Sequence, residues 1–144
     1  MQAKTFRVSC VMLCLTLALP ALAQWGHPIK GTFSGDWWLK KGAENHVILQ
    51  FDYDGAKDLV TGVMNPGPDA VPLQKLTVTP PAGGVAEAQN GWPVHFEADA
   101  KDKAGKVTHY VVDGKLENIG AFNKHLSGAW TAGTQKGQFK TTMQ

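Results

Sequence analysis

Phe33-Ser34-Gly35-Asp36-Trp37 and Leu126-Ser127-Gly128-Ala129-Trp130 are near-copies of one short phrase, set far apart in the chain. Each has a large apolar residue, a hydroxyl, a glycine, one variable position and a tryptophan. Side chains of an extended strand alternate faces, so Phe33, Gly35 and Trp37 share one face, as do Leu126, Gly128 and Trp130. A glycine between two bulky neighbours on that face marks a coiled strand or a close approach of backbone. Val60-Thr61-Gly62-Val63 is a looser third copy. Such phrases near both ends predict a sheet whose first and last strands come together.

The sequence between them reads as strands throughout. Every helical candidate is interrupted by Gly, Pro or a turn dipeptide, and apolar residues recur at two rather than at three and four. Gly31 to Leu39 opens the sheet and Lys40-Lys41-Gly42 ends that strand. From His46 to Tyr53 the residues Val47, Leu49, Phe51 and Tyr53 point one way, with Ile48 alone on the polar side. Asp54-Gly55 turns the chain into Leu59 to Met64. Asn65-Pro66-Gly67-Pro68-Asp69 is a loop, because its prolines remove donors and fix φ. Leu73 to Thr79 is the next strand, and Thr79 to Gln89 is a Pro-, Gly- and Ala-rich connection. Trp92 to Ala98 and Lys106 to Val112 read as a hairpin with a charged tip. Asp113-Gly114 reads as a turn into Lys115 to Ile119, and Leu126 to Thr131 and Gln138 to Met143 follow. Short strands spaced by roughly 10 residues predict an all-β, single-domain antiparallel up-and-down barrel, or a barrel-like sandwich, of about eight strands.

Residues 1 to 23 read as an export signal. Lys4 and Arg7 precede an apolar run from Val8 to Leu19, and Ala21-Leu22-Ala23 supplies a small-x-small cleavage pattern. The run is too short for a membrane span. The expected mature domain is 24–144, periplasmic or secreted, with no transmembrane segment. Both cysteines, Cys10 and Cys14, lie in the signal, so thiol nucleophiles and thiolate metal sites are excluded from the domain. The chain has 14 Lys and Arg against 12 Asp and Glu; loss of Lys4 and Arg7 leaves 12 against 12. A neutral domain without a basic cluster is a poor nucleic-acid binder.

Gly31-Thr32-Phe33, Leu59-Val60-Thr61-Gly62 and Gly91-Trp92-Pro93-Val94-His95-Phe96 resemble stretches of avidin-type and other calycin barrels, in the same order and over most of the mature domain. Val63 to Gly67, with its Asn-Pro-Gly, resembles small exported bacterial proteins of unassigned function. The resemblance implies a barrel and carries no ligand residues with it.

Chemistry is sparse. Ser34 and Ser127 are the serines of the mature domain, and both sit in strand-glycine phrases without a nucleophile elbow. No phosphate loop is present and no cofactor is implied. With the hairpin centred on Asp102, His95 faces His109 on the outer or rim side, beside Glu97. Two imidazoles and a carboxylate suit Zn²⁺, Cu²⁺ or acid–base work; the plainer reading is two half-exposed strand histidines. The remaining histidines, His27, His46 and His125, are scattered. Asp36, between glycine and two tryptophans, reads either as an inward carboxylate or as a solvent-side residue at a bend. Trp37 and Trp38 point to opposite faces, so one needs a ligand, loop or partner to cover it. Trp37, Trp38, Trp92, Tyr110 and Trp130 form the expected binding set for a small apolar, aromatic or sugar-like molecule. A small periplasmic enzyme using His95, His109 and a carboxylate is the alternative, and an inhibitor-like or structural envelope protein a third.

Overall fold

The computed structural model describes residues 26–82 and 91–144. The export-signal reading and part of the Thr79–Gln89 connection lie outside them. The described residues form eight strands and no helix: β1 (Gly31–Trp38), β2 (Glu44–Asp54), β3 (Leu59–Met64), β4 (Val71–Val78), β5 (Trp92–Lys101), β6 (Val107–Glu117), β7 (His125–Ala132) and β8 (Gln135–Met143). Each is antiparallel to the next, and β8 pairs back to β1, which closes an up-and-down barrel. No helix among the described residues is long and apolar enough to cross a membrane.

Period-two alternation builds the core. Val47, Leu49 and Phe51 of β2, Val94, Phe96 and Ala98 of β5, and Leu126 and Trp130 of β7 are all buried. Phe33 stands edge-on to Phe51 at 5.8 Å, and Phe51 to Phe96 at 6.4 Å. Thr141 is buried among them, and its hydroxyl donates to the Leu126 carbonyl at 2.9 Å.

Glycine is required where backbones press together. Gly35 lies opposite Thr141 across β1 and β8, where a Cβ would enter the Lys140 carbonyl. On β7, Gly128 would drive a Cβ into the Asp113 carbonyl and Gly114 of β6. The repeated phrase therefore marks two tight corners of one barrel.

Two sequence readings are corrected. Asp113-Gly114 is not a turn: β6 runs unbroken through it to Glu117, so Lys115 to Ile119 is no separate strand. Gly114 faces inward, where a Cβ would come within 2.9 Å of the Phe139 ring, so its glycine makes room rather than a bend. The β5–β6 hairpin also turns later than Asp102. Lys101 pairs with Val107, because Asp102 opens the loop rather than centring it. Its carboxylate accepts from the N–H groups of Ala104 and Lys106, both at 2.9 Å. His95 therefore faces Asp113, and His109 faces Asp99. Each strand slides by an even number of residues, so every side chain keeps its expected face.

One end of the barrel is plugged. Ile29 is fully buried in the core just before β1. His27 lies 4.6 Å from the Tyr53 ring and edge-on to Trp92 at 5.9 Å. The Tyr53 hydroxyl donates to Asp58 at 2.8 Å. Burial pushes the His27 imidazole below its ordinary value; Asp58 opposes this and Lys124 reinforces it.

Gly35→Ala is expected to lower the unfolding free energy by about 1–3 kcal/mol in urea, since rigid backbone cannot yield to the new methyl. Gly120→Ala, with no atom within 4 Å of the added carbon, should stay within about 0.5 kcal/mol of the parent. A second expectation concerns acid. Because the folded imidazole of His27 resists protonation, its contribution is complete above about pH 6.5. It is lost as pH falls from there through the lower folded value. The drop in the urea midpoint between about pH 7.5 and pH 5 should be smaller in His27→Gln than in the parent.

Candidate functional site

At the opposite end the barrel is hollow, and β5 explains why. Its inward residues run Trp92, Val94, Phe96, Ala98 and Ala100, so the bulk falls away toward the β5–β6 loop. Trp37 of β1, Tyr110 of β6 and Trp130 of β7 gather around the space this leaves. Trp37 and Trp130 are 5.1 Å apart at 68°, Trp37 and Tyr110 5.9 Å apart at 88°, and Tyr110 and Trp130 5.7 Å apart at 65°. Edge-to-face contact of this kind matches positive ring edges to negative faces.

Both tryptophans owe their place to the repeated phrase. Each follows its glycine by two residues, which keeps it on the inward face, and β1 and β7 flank β8. Trp130 is fixed further by an Nε1–H donated to the Gln138 carbonyl at 3.2 Å. Gly137 of β8 gives its ring a seat that a Cβ would fill.

The cavity has a volume of about 150 Å³. Val47, Leu49, Met64, Phe96 and Phe139 complete an apolar wall with the two alanines, and among the described residues no charged one lines it. Asn65 is the lining amide. Its backbone sits in the left-handed region at φ 51°. Its N–H donates to the Ile48 carbonyl at 2.7 Å, and its Oδ1 accepts from the Ile48 N–H at 3.1 Å. Larger depressions lie outside the barrel. One of about 520 Å³ runs past Asp69, Asp99, Lys101, Asp102 and Lys103, and so carries charge beside Val71 and Pro72.

Of the expected aromatic set, Trp37, Tyr110 and Trp130 converge. Trp92 does not: it stands at the plugged end beside His27. Trp38 projects from the outer face, one residue past Trp37. Ala98, Ala100, Met64 and Asn65 were not anticipated. The signal that could have found the alanines is the run of small residues at alternate, inward positions of one strand.

The polar candidates lie on the outer face. Asp36 points outward, 3.6 Å from His46 Nδ1, which corrects the inward-carboxylate reading. His46 Nε2 is 3.3 Å from the Ser34 hydroxyl. The order Ser, His, Asp invites comparison with a hydrolytic triad, but this group lies exposed on a sheet whose backbone N–H groups are committed to the β1 pairings. Among the described residues no oxyanion donors face it, and the cavity is on the other side of the strand, so it carries no acyl-transfer reading.

His95 and His109 share the outer face of β5 and β6 but are not directly opposed. His95 Nδ1 lies 2.7 Å from Asp113, and His109 Nδ1 2.7 Å from Asp99. Glu97 stands between the rings, 4.0 Å from His95 Nε2 and 3.4 Å from His109 Nε2. The His109 hydrogen bond, then that from Gln74, holds the Asp99 carboxyl below the usual carboxylate range. Among the described residues, no three such side chains converge as they stand on a point that would hold a metal ion. His125 is a strand residue, its Nδ1 3.0 Å from the Thr142 hydroxyl.

Comparison with protein-family models, with curated proteins and with solved structures finds no match to this chain. The barrel that the calycin resemblance implied rests on the strand pairings themselves.

Proposed function

We propose that this chain is an exported binding protein that takes a small apolar or aromatic molecule, without chemical turnover, into the open end of its barrel. The observation that carries the reading is the cavity of about 150 Å³ walled by Trp37, Tyr110, Trp130 and aliphatic side chains. A dry apolar cavity of about that size holds a molecule such as benzene. The lining favours one ring over the sugar-like ligand also expected. A sugar needs several convergent polar groups, and here Asn65 has its carbonyl oxygen already engaged by Ile48. Export is supported by the basic, apolar and small-x-small order of residues 1–23.

The test is a titration of the purified protein with indole, toluene and phenol, followed by tryptophan fluorescence and by NMR shifts of the indole N–H signals. Saturable binding that moves the Trp37 and Trp130 signals is expected. Ala98→Leu, which places a larger side chain inside the cavity, should weaken it at least tenfold, about 1.4 kcal/mol. Its unfolding curve is the check that the barrel remains intact. Binding by none of these probes, or binding that Ala98→Leu leaves unchanged, would sink the reading.

A further inference from the structure

The walls of the cavity are apolar, yet Trp37, Asn65, Tyr110 and Trp130 of its lining carry side-chain hydrogen-bonding groups. Two of these groups are engaged by the barrel itself. The Trp130 Nε1–H donates to the Gln138 carbonyl at 3.2 Å, and Asn65 Oδ1 accepts from the Ile48 N–H at 3.1 Å. The second contact also settles which way the Asn65 amide faces, since its oxygen alone can accept from an N–H. Nδ2 is the end left free, and among the described residues nothing accepts from it. The Trp37 Nε1–H and the Tyr110 hydroxyl are without partners there as well. Neither is sealed inside the protein, because Trp92 Nε1 is the buried, unpartnered side-chain atom among the described residues.

The free groups are weighted toward donors. An amide NH₂ and an indole N–H only donate, and a phenolic hydroxyl does either. A hydrocarbon would displace water from these donors and offer nothing in return, which costs free energy. A ring N–H would set one donor against another. A sugar brings hydroxyls that need acceptors too, and Asn65 Oδ1 is already engaged. A carboxylate accepts, but among the described residues no cation lines the cavity. An unpaired charge leaving water costs far more than a neutral acceptor does. What fits is a neutral ring with an acceptor. Asn65 is exposed and follows the last residue of β3, so its amide stands at the rim, with the aromatic walls behind it.

We propose that the cavity selects a neutral, single-ring aromatic molecule bearing a hydrogen-bond acceptor, a carbonyl or a nitrile, and that Asn65 is the residue that selects it. The ring enters the barrel and the acceptor stays at the rim, where Asn65 Nδ2 donates to it. This rests on the binding reading above and narrows it to one chemical class. The local backbone explains why asparagine occupies the position. Residue 65 has a φ of 51°, in the left-handed region, which asparagine tolerates better than most residues. Its N–H donates to the Ile48 carbonyl at 2.7 Å while its Oδ1 accepts from the Ile48 N–H, so backbone and side chain are held from the same neighbour. A donor fixed in this way loses little freedom when a ligand arrives. A purely structural role needs the amide oxygen and not the nitrogen, so the two roles can be separated by substitution.

The experiment compares benzonitrile with phenylacetylene, which share a shape but end in an acceptor and in a weak C–H donor. Each is titrated into the purified protein and followed by tryptophan fluorescence, with benzoate as the charged comparison. Asn65→Asp keeps an oxygen for the Ile48 N–H and removes the N–H donors. Asn65→Gly removes the whole amide and keeps the left-handed backbone, so one variant serves if the other fails to fold. Each is expected to weaken benzonitrile about fivefold, the worth of one hydrogen bond, and to change phenylacetylene by less than about twofold. Benzoate should bind the parent more weakly than benzonitrile does. Circular dichroism checks that each variant is folded. No loss in either variant, or an equal loss for both neutral probes, would overturn the role given to Asn65 and leave the cavity reading standing. Tighter binding of benzoate than of benzonitrile would overturn the neutral class. If the parent binds neither neutral probe, this inference and the binding reading fall together.

Discussion

The structure depends on the seam between β1 and β8, where two backbones run too close together for side chains. A Cβ at Gly35 would enter the Lys140 carbonyl, and one at Gly137 would enter the Trp38 carbonyl and the Trp130 ring. Paired hydrogen bonds along this seam leave the sheet with no free edge, and a free edge is the principal hazard of an all-β chain. The close approach also sets the geometry at the hollow end. Trp37 lies two residues beyond Gly35 on one side of β8, and Trp130 two residues beyond Gly128 on the other. Closing the barrel is therefore what brings their rings together.

The same strands serve two surfaces of opposite character. On β5, Ala98 lines the cavity while its neighbours Glu97 and Asp99 lie on the outer face; on β6, Tyr110 enters the cavity beside the outward His109. Alternation alone separates them, since one residue of travel along a strand reverses the face. The apolar site and the ionic outer face are thus set back to back across a single layer of backbone, each built without polar groups intruding on the other.

Much of this could be read from the sequence because a β-barrel obeys a period of two. Val47, Leu49 and Phe51 announced their burial, and the first and last strands do meet as expected, at Gly35, although the second glycine phrase lies on β7 and presses on β6. The errors came where local chemistry had two uses. Asp113-Gly114 has the composition of a turn, yet Gly114 is glycine because the Phe139 ring lies against it. The hairpin register depended on how Asp102 folds its own loop, and alternation does not encode that. The slip did not change faces, so the histidines were placed on the correct side but beside the wrong partners. The cavity was the least legible feature. It arises from what Ala98 and Ala100 fail to fill, and that absence acquires meaning only once the opposite walls are known. Lys75 escaped for a similar reason: it sits in the left-handed region at φ 48° where the β4–β5 register shifts, and nothing in Gln74-Lys75-Leu76 signals an irregular backbone.

Pairing of β1 with β8 also has a consequence in time. The strand that closes the barrel is the eighth in chain order, so the exposed side of β1 has no partner until the most distant strand arrives. Neighbouring strands can assemble as hairpins on the way, but the ring is completed by the contact of longest sequence separation. That late, all-or-none step is of the kind that slows β proteins relative to helical ones. Any chain in which that contact is not yet made presents the free edge of β1, and an unpaired edge is where strands of separate molecules can pair.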